Sequence, residues 1–500
     1  MKRQLITAMH LSAVVFVLGG CATSPSRSLS RTQPARPPDT TRQVTYQNTS
    51  DSRQETPTET AAVPATRTQL VAFQEEVSTP HAHSDLMVPP AAVPEEDTAL
   101  TLQDLEGMAL VNNPTLVQAN AQFRGEQGAA YQAGLPFNPV VGYVAEQIGV
   151  NGTAGELHGG YIQQEIVTGG KLRLSRAKYA QRAQIAATNA QAQQQRVLND
   201  VQTQFYRTIA AQRVVEIHGK LVANGDDSVQ THREMLNLGQ TTASTVMQAE
   251  VELRRDQLNL KDAENDLQQA WRTLVALVGC PQLATSRLED SLSAIQEPLD
   301  YELALGQLLS GSPELVAARQ KIRHDQIQLE REQVQPIPNI LVAATVGRNF
   351  EAGGTTAGVN IGLPIPVFDR NQGTIQQAQA DLTRAQAEAR RLELELQTRL
   401  ADRSYLSAWQ RVEEYQATML PKSKEATDLL RQSYQDRRAP WVDVLASERL
   451  NMTLEAEYVE SLKTYHQTDI AICGMLLSGG LTEAPAAIGG GHIDATPKPR

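Results

Sequence analysis

The chain has 500 residues, a net charge of -11, three cysteines and only 4% aromatic residues. Five hundred residues would ordinarily build about three globular domains, but so few aromatics leave little with which to fill several cores. The negative balance argues against a nucleic-acid partner, because phosphate binding needs a basic face.

The N-terminus reads as an export signal. Lys2 and Arg3 precede an apolar run from Leu11 to Leu18, and the run ends in Leu18-Gly19-Gly20-Cys21, small residues ahead of a cleavage point. Beyond the signal, no apolar run reaches the eighteen residues a helical membrane span requires. The L-G-G-C stretch resembles the lipobox of bacterial lipoproteins. That resemblance implies a signal peptide over residues 1–20, with Cys21 as the acylated first residue of the mature chain. Several acyl chains attach stably where a single chain is marginal. Ala22 and Thr23 follow, where an aspartate would favour inner-membrane retention, so the resemblance implies an outer-membrane destination.

Residues 21–95 are rich in Pro, Thr, Ser and Arg and carry hardly any apolar period. This is the composition of a tether. His81 and His83 within it could chelate a metal, but no third ligand of the right kind is near them, and no metal site or cofactor is expected.

The remainder repeats itself. Asn113-Pro114-Thr115-Leu116-Val117 is answered by Ser312-Pro313-Glu314-Leu315-Val316, and the end of residues 96–290 is answered by the end of residues 291–476. A period this long is a duplicated domain half. The order expected in each copy is a short helix, two alternating strands, a very long helix and a return helix, a mainly α chain with a small β part.

In the first copy the strands centre on Val140, Val144 and Ile148, then Tyr161, Ile162 and Ile166. In the second, Ile340, Val342, Ala344 and Val346 alternate with small or polar residues, as do Val359, Ile361, Leu363 and Ile365. Segments of about ten residues with this period suit transmembrane barrel strands. The first long helix is expected from about Lys171 to Leu236, roughly 100 Å at 1.5 Å per residue. Apolar seams follow at three-four spacing: Val246, Ala249, Leu253, Leu260, Ala263, Leu267, Ala270, Leu274 and Leu277, interrupted by Asp256, and Ile375, Ala378, Leu382, Ala385, Ala389, Leu392 and Leu396. A closing tail, 477–500, ends in a Gly-rich stretch and Thr-Pro-Lys-Pro-Arg and reads as flexible.

Four strands cannot close a barrel, and an open sheet edge in lipid leaves backbone groups unsatisfied. Residues 96–476 resemble the TolC family of outer-membrane efflux proteins. The resemblance implies a homotrimer whose shared twelve-stranded barrel continues into a long α-helical periplasmic barrel, a passive duct that docks on a periplasmic adaptor and an inner-membrane pump. The stretch Leu363-Pro364-Ile365-Pro366-Val367-Phe368-Asp369-Arg370-Asn371-Gln372-Gly373 is similar to the cobalt, zinc and cadmium branch of that family.

By the same resemblance, Pro364 and Pro366 mark one strand-to-helix hinge, and Gly169 and Gly170 the other, where flexibility replaces proline stiffness. Gly239 marks the adaptor-contacting tip of the first copy. Arg437 and Arg438 occupy the second tip, with Arg437 where glycine is expected, and are expected to pair with an acid of a neighbouring helix. Asp443, with Thr245 as its counterpart, is placed at the pore constriction. Cys280 and Cys473 are expected as buried free thiols.

No phosphate loop, H-E-x-x-H, G-x-S-x-G or C-x-x-C motif occurs, which argues against an enzyme. The alternative to a duct is a lipid-anchored periplasmic coiled-coil scaffold whose strands form a soluble subdomain. The two readings differ in whether all four strands turn one apolar face outward over about 25 Å.

Overall fold

A computed structural model describes residues 99–148, 156–289, 292–401, 404–489 and 492–493. The expectations for the signal, Cys21, the tether, His81 and His83 lie outside these residues.

Each copy opens with two helices where one was expected. In the first copy they are α1 (Leu102–Asn112) and α2 (Pro114–Ala133), and in the second α5 (Tyr301–Gly311) and α6 (Pro313–Val334). Thr101 closes a capping box with Asp104 at the start of α1. Pro114 and Pro313 then begin new helices, each as the first helical residue, because a proline has no N–H to give to the turn before it.

The strands β1 (Val140–Glu146), β2 (Leu157–Ile166), β3 (Ile340–Asn349) and β4 (Gly354–Gly362) form one antiparallel sheet in the order β1-β2-β3-β4. Residues directly opposed across a ladder share a face. The register Val141↔Ile162, Ile162↔Ala344 and Ala344↔Val359 therefore gathers Val141, Tyr143, Ile162, Ile166, Ile340, Val342, Val346, Val359 and Ile361 on one side, with Gln164 among them and His158 and Arg348 at its far end. Gly142, Gln163, Glu165, Thr345, Gly358 and Asn360 lie on the other. In β1 this corrects the expectation by one residue, because Val140 and Val144 fall on the small, polar face. Tyr161 falls there too, its ring lying across Gly142, where a Cβ would stand 2.5 Å from it. Ile148 lies beyond the end of β1.

Among the described residues the sheet covers no core: Gly347 is its one buried residue, while Val141 and Val359 are each 74% exposed.

From the sheet, α3 (Lys171–Asn237) descends unbroken for 67 residues and returns as α4 (Ala243–Val278). The second descent is segmented: α7 (Gln372–Leu400), α8 (Ser404–Glu414), a π turn at Tyr415–Met419 and α9 (Leu420–Gln435), returning as α10 (Trp441–Cys473). The π turn directly precedes Pro421, which cannot donate into a regular α ladder. Helix α3 is the spine, packed against α2, α4, α6 and α10. Its middle joins the main core, where Phe205, Ile209, Trp271, Leu274, Val278, Val412, Leu462 and Tyr465 meet.

The segment after Leu477, expected as a flexible tail, instead runs along α3 as a strap. Asn199 Nδ2 donates to the Leu477 carbonyl at 2.8 Å, Asp200 accepts from the Gly479 and Gly480 amides, and Asn189 Nδ2 donates to the Pro485 carbonyl at 2.8 Å. Ala487 and Ile488 then bury against Ile185 and Ala186. Both thiols are free as expected, but neither is fully buried: Cys280 is half-buried and Cys473 exposed.

Candidate functional site

Three places carry the expected functional residues: the sheet, the hinges beneath it and the tips of the long helices. On the sheet, the apolar face spans Ile340 to Val346 of β3, about 20 Å at roughly 3.3 Å per residue. At the end of the sheet away from the helices, Tyr143 hydrogen-bonds His158, whose ring meets Phe350 edge-on at 5.6 Å. An apolar band finished by aromatics is the pattern of a barrel wall at a membrane interface.

The hinges differ from each other. In the first copy Gly169 and Gly170 both take left-handed backbone, with φ of 66° and 70°. Here the hinge is tied and not merely flexible. Lys171 donates to the Ile337 carbonyl and to Asn339 Oδ1 at 2.9 Å, Asn339 Nδ2 donates to Glu165 at 2.7 Å, and Thr168 donates to the Pro338 carbonyl. Burial, and then the charge of Arg331, push the Lys171 ammonium below its usual value, against the pull of Glu165.

In the second copy Pro364 and Pro366 follow directly on the end of β4 at Gly362, but α7 begins only at Gln372. The residue that turns the chain into the helix is Asn371, left-handed at φ 61°, with its amide donating to Glu332 Oε2 at 2.7 Å. The two prolines end the ladder without starting the helix. Just after them Phe368 is 91% exposed.

At the tips the two copies coincide. Gly239, at φ 71°, donates its N–H to the Leu236 carbonyl, and Gln240 N–H reaches back to Met235. Arg437 takes φ 59° at the matching position, with its N–H on the Tyr434 carbonyl and that of Arg438 on Ser433. The turn is thus the helix-ending left-handed motif in both copies, although the second pays for it with a side chain. Arg438 pairs with Asp436 of its own turn at 3.0 Å, not with a neighbouring helix. Ion pairs one turn back repeat as well, Arg233–Glu250 at 2.5 Å and Arg431–Glu448 at 2.6 Å.

Asp443 is exposed in the first turn of α10, and Thr245 stands half-buried in the first turn of α4, where its N–H is accepted by Thr242 Oγ1 at 3.4 Å. Both therefore sit where a small polar or acidic group suits a helix N-terminus.

The sequence reading missed the Lys171–Asn339–Glu165 tie and the polar anchors of the strap. The signal was the polar residues Asn189, Gln193 and Asn199, buried along α3. A stripe of amides on an otherwise packed helix face marks a backbone segment lying across it.

Comparison with known proteins places this architecture. A family model described as outer membrane efflux protein matches residues 105–280 and 304–476. The chain is 24% identical over 379 residues to the cobalt-zinc-cadmium resistance protein CzcC of Cupriavidus metallidurans, spanning 75% of this chain and 89% of that one. Among solved structures, the outer membrane protein VceC from Vibrio cholerae matches with a TM-score of 0.61 at 19% identity, over 76% of this chain and 96% of that chain. The open state of the MtrE outer membrane channel of Neisseria gonorrhoeae matches with a TM-score of 0.60 at 16% identity, over 76% and 90%. At these identities the two structures establish a shared fold.

Proposed function

The chain belongs to the outer membrane efflux protein family, which comprises channels and not enzymes, and on that premise we propose that three copies close one twelve-stranded barrel and form a passive exit duct. The observation that carries this reading is the sheet. Its four strands have one largely apolar face, broken by Gln164, a second face of mostly small or polar residues, no core beneath among the described residues and two open edges at β1 and β4. In water such a sheet gains nothing from folding. In lipid its edges must pair, and threefold closure pairs β4 of one protomer with β1 of the next.

The helices fit the same assembly. Helix α4 leaves Met247, Val251 and Leu258 exposed on its outer side, apolar surface that a neighbouring copy would cover. The barrel wall would stand in the outer membrane, and α3, α4 and α7 to α10 would extend the duct into the periplasm. The tips at Gly239, Arg437 and Arg438 would contact a periplasmic adaptor bound to an inner-membrane pump. Asp443 and Thr245 would line the narrow end. The likeness to CzcC favours metal cations as cargo.

Acylation at Cys21 would anchor the chain before the barrel closes. Cys21→Ala is expected to abolish palmitate labelling, while the barrel still holds part of the protein in the membrane.

The trimer is tested by gel migration of membrane-extracted protein with and without boiling. A species near three times the 54.6 kDa chain mass that collapses on heating is expected. Monomer alone in both lanes would favour the scaffold reading.

A further inference from the structure

The strap ends in a buried constellation for which the duct gives no reason. His492 Nε2 lies 2.9 Å from Asp325 Oδ1, and His324 Nδ1 lies 2.8 Å from the same oxygen. His324 and Asp325 are on α6, and His492 is fifteen residues past the strap's first anchor at Leu477. The three are 0%, 1% and 5% exposed. Among the described residues Asp325 Oδ2 is buried with no hydrogen-bond partner, an acceptor that burial makes costly to leave unused. Asp381 of α7 stands beside them, its Oδ2 3.7 Å from His492 Nε2 and accepting the Ile493 N–H at 3.1 Å, while Arg384 holds Oδ1 at 3.0 Å.

We propose that His324, Asp325 and His492 bind one late first-row transition-metal dication of the Zn2+ or Co2+ class, with Asp381 beside the fourth position, and that the ion fastens the C-terminal strap to α6 and α7. One donor atom from each of the three residues already falls within 4.8 Å of the others. Bonds of about 2.0 to 2.2 Å in tetrahedral array place donors about 3.3 Å apart, so the cluster closes by side-chain adjustments of about an ångström. Two imidazoles and a carboxylate select Zn2+, Co2+, Ni2+ or Cu2+ over Mg2+ or Ca2+, which prefer oxygen alone. Each imidazole ligates in its neutral form, so a proton on the ligating nitrogen moves to the other ring nitrogen, and only an imidazolium would release one to solvent.

Enclosure separates this ion from transported cargo. A site lined by side chains this inaccessible does not exchange along a duct, and its effect is on the strap. The inference goes beyond the exit-duct reading and does not depend on it. Nothing in the spacing of His324, Asp325 and His492 along the chain signals the site, since the fold alone joins them.

The test uses the full-length protein, stripped with EDTA and titrated with Co2+ alone. One Co2+ per chain is expected, with the visible absorption of a four-coordinate nitrogen–oxygen site. Carboxypeptidase should also trim the C-terminus more slowly once Co2+ is bound. His492→Ala leaves the helices intact, and His324→Gln keeps the volume of the ring approximately. Each should weaken binding at least about tenfold, while His81→Ala/His83→Ala binds as the parent does. Absence of stoichiometric binding, full affinity in both His492→Ala and His324→Gln, or loss of binding in the His81/His83 variant instead would each overturn the proposal.

Discussion

Arg449 of α10 grips both oxygens of Asp256 on α4, Nη1 to Oδ2 at 2.7 Å and Nη2 to Oδ1 at 2.8 Å. Asp256 interrupts an otherwise apolar seam and is 2% exposed, so its charge is answered by a partner and not by water. Gly225 of α3 closes the third side, since a Cβ there would stand 3.3 Å from Oδ2. The pair fastens the return helix of the first copy to that of the second, about 20 Å along α4 from its start.

Removing Arg449 strands a buried carboxylate. Arg449→Met is expected to cost about 2 to 4 kcal/mol, below the upper range for fully enclosed pairs because the guanidinium keeps some contact with water. Adding Asp256→Leu should recover most of the loss by restoring the seam. Thermal unfolding of the single and double variants checks this, and a double variant no better than the single would contradict it.

His466 predicts an acid sensitivity. Burial pushes its imidazole below the usual value, although its bond to the Leu292 carbonyl at 2.7 Å pulls the other way. The ring is stacked on Tyr206 at 3.9 Å. The folded chain therefore resists a proton that the unfolded chain accepts near pH 6.5. Stability is full above that pH and falls below it until the lower folded value is reached, by at most about 1.4 kcal/mol per pH unit. His466→Gln should flatten the dependence of melting temperature on pH between 6.5 and 5. An unchanged slope would assign the acid sensitivity to other groups.

The tips should respond oppositely to substitution. Gly239→Val places a β-branched residue in left-handed backbone, at about 1 to 2 kcal/mol of local strain, and is expected to impair efflux while sparing the trimer. Arg437→Gly relieves the same strain and should be neutral or stabilising by up to about 1 kcal/mol. Resistance assays with gel migration separate the two effects, and normal efflux in Gly239→Val would remove the tip from docking.

Asp443 is expected to act as a charge ring. Three copies of one exposed carboxylate in a constriction attract cations. Asp443→Asn should therefore reduce cation selectivity and relieve block by multivalent cations applied from the tip side. A variant that loses only about 0.3 to 1 kcal/mol of stability, with unchanged selectivity, would make Asp443 a helix-terminal charge and no more.

Much of this fold could be read along the chain, and what could not has identifiable causes. The start of α3 at Lys171 and its end within a residue of Leu236 were legible because Gly170 and Gly239 bracket a long helix-prone run. The face of β3 was legible because strict alternation leaves one register, and that of β4 only at Val359 and Ile361, since Leu363 and Ile365 lie beyond its end at Gly362. In β1 the adjacent Val140 and Val141 offered an apolar residue to either face, and only pairing with β2 decides between them. The strap escaped notice because its residues are mostly small and its few apolar ones follow no period, while its anchors on α3 look like surface polar groups until a backbone lies over them. Asp256 looked like a defect in the seam because Arg449 lies nearly two hundred residues further on.

The most direct measurement of the central claim is single-channel recording of the purified protein in planar bilayers. A shared barrel continued by a helical duct predicts discrete conductance steps that appear with the heat-labile trimer and vanish when it is boiled to monomer. A stable, folded trimer that inserts into the bilayer and never conducts, with or without Asp443→Asn, would contradict it.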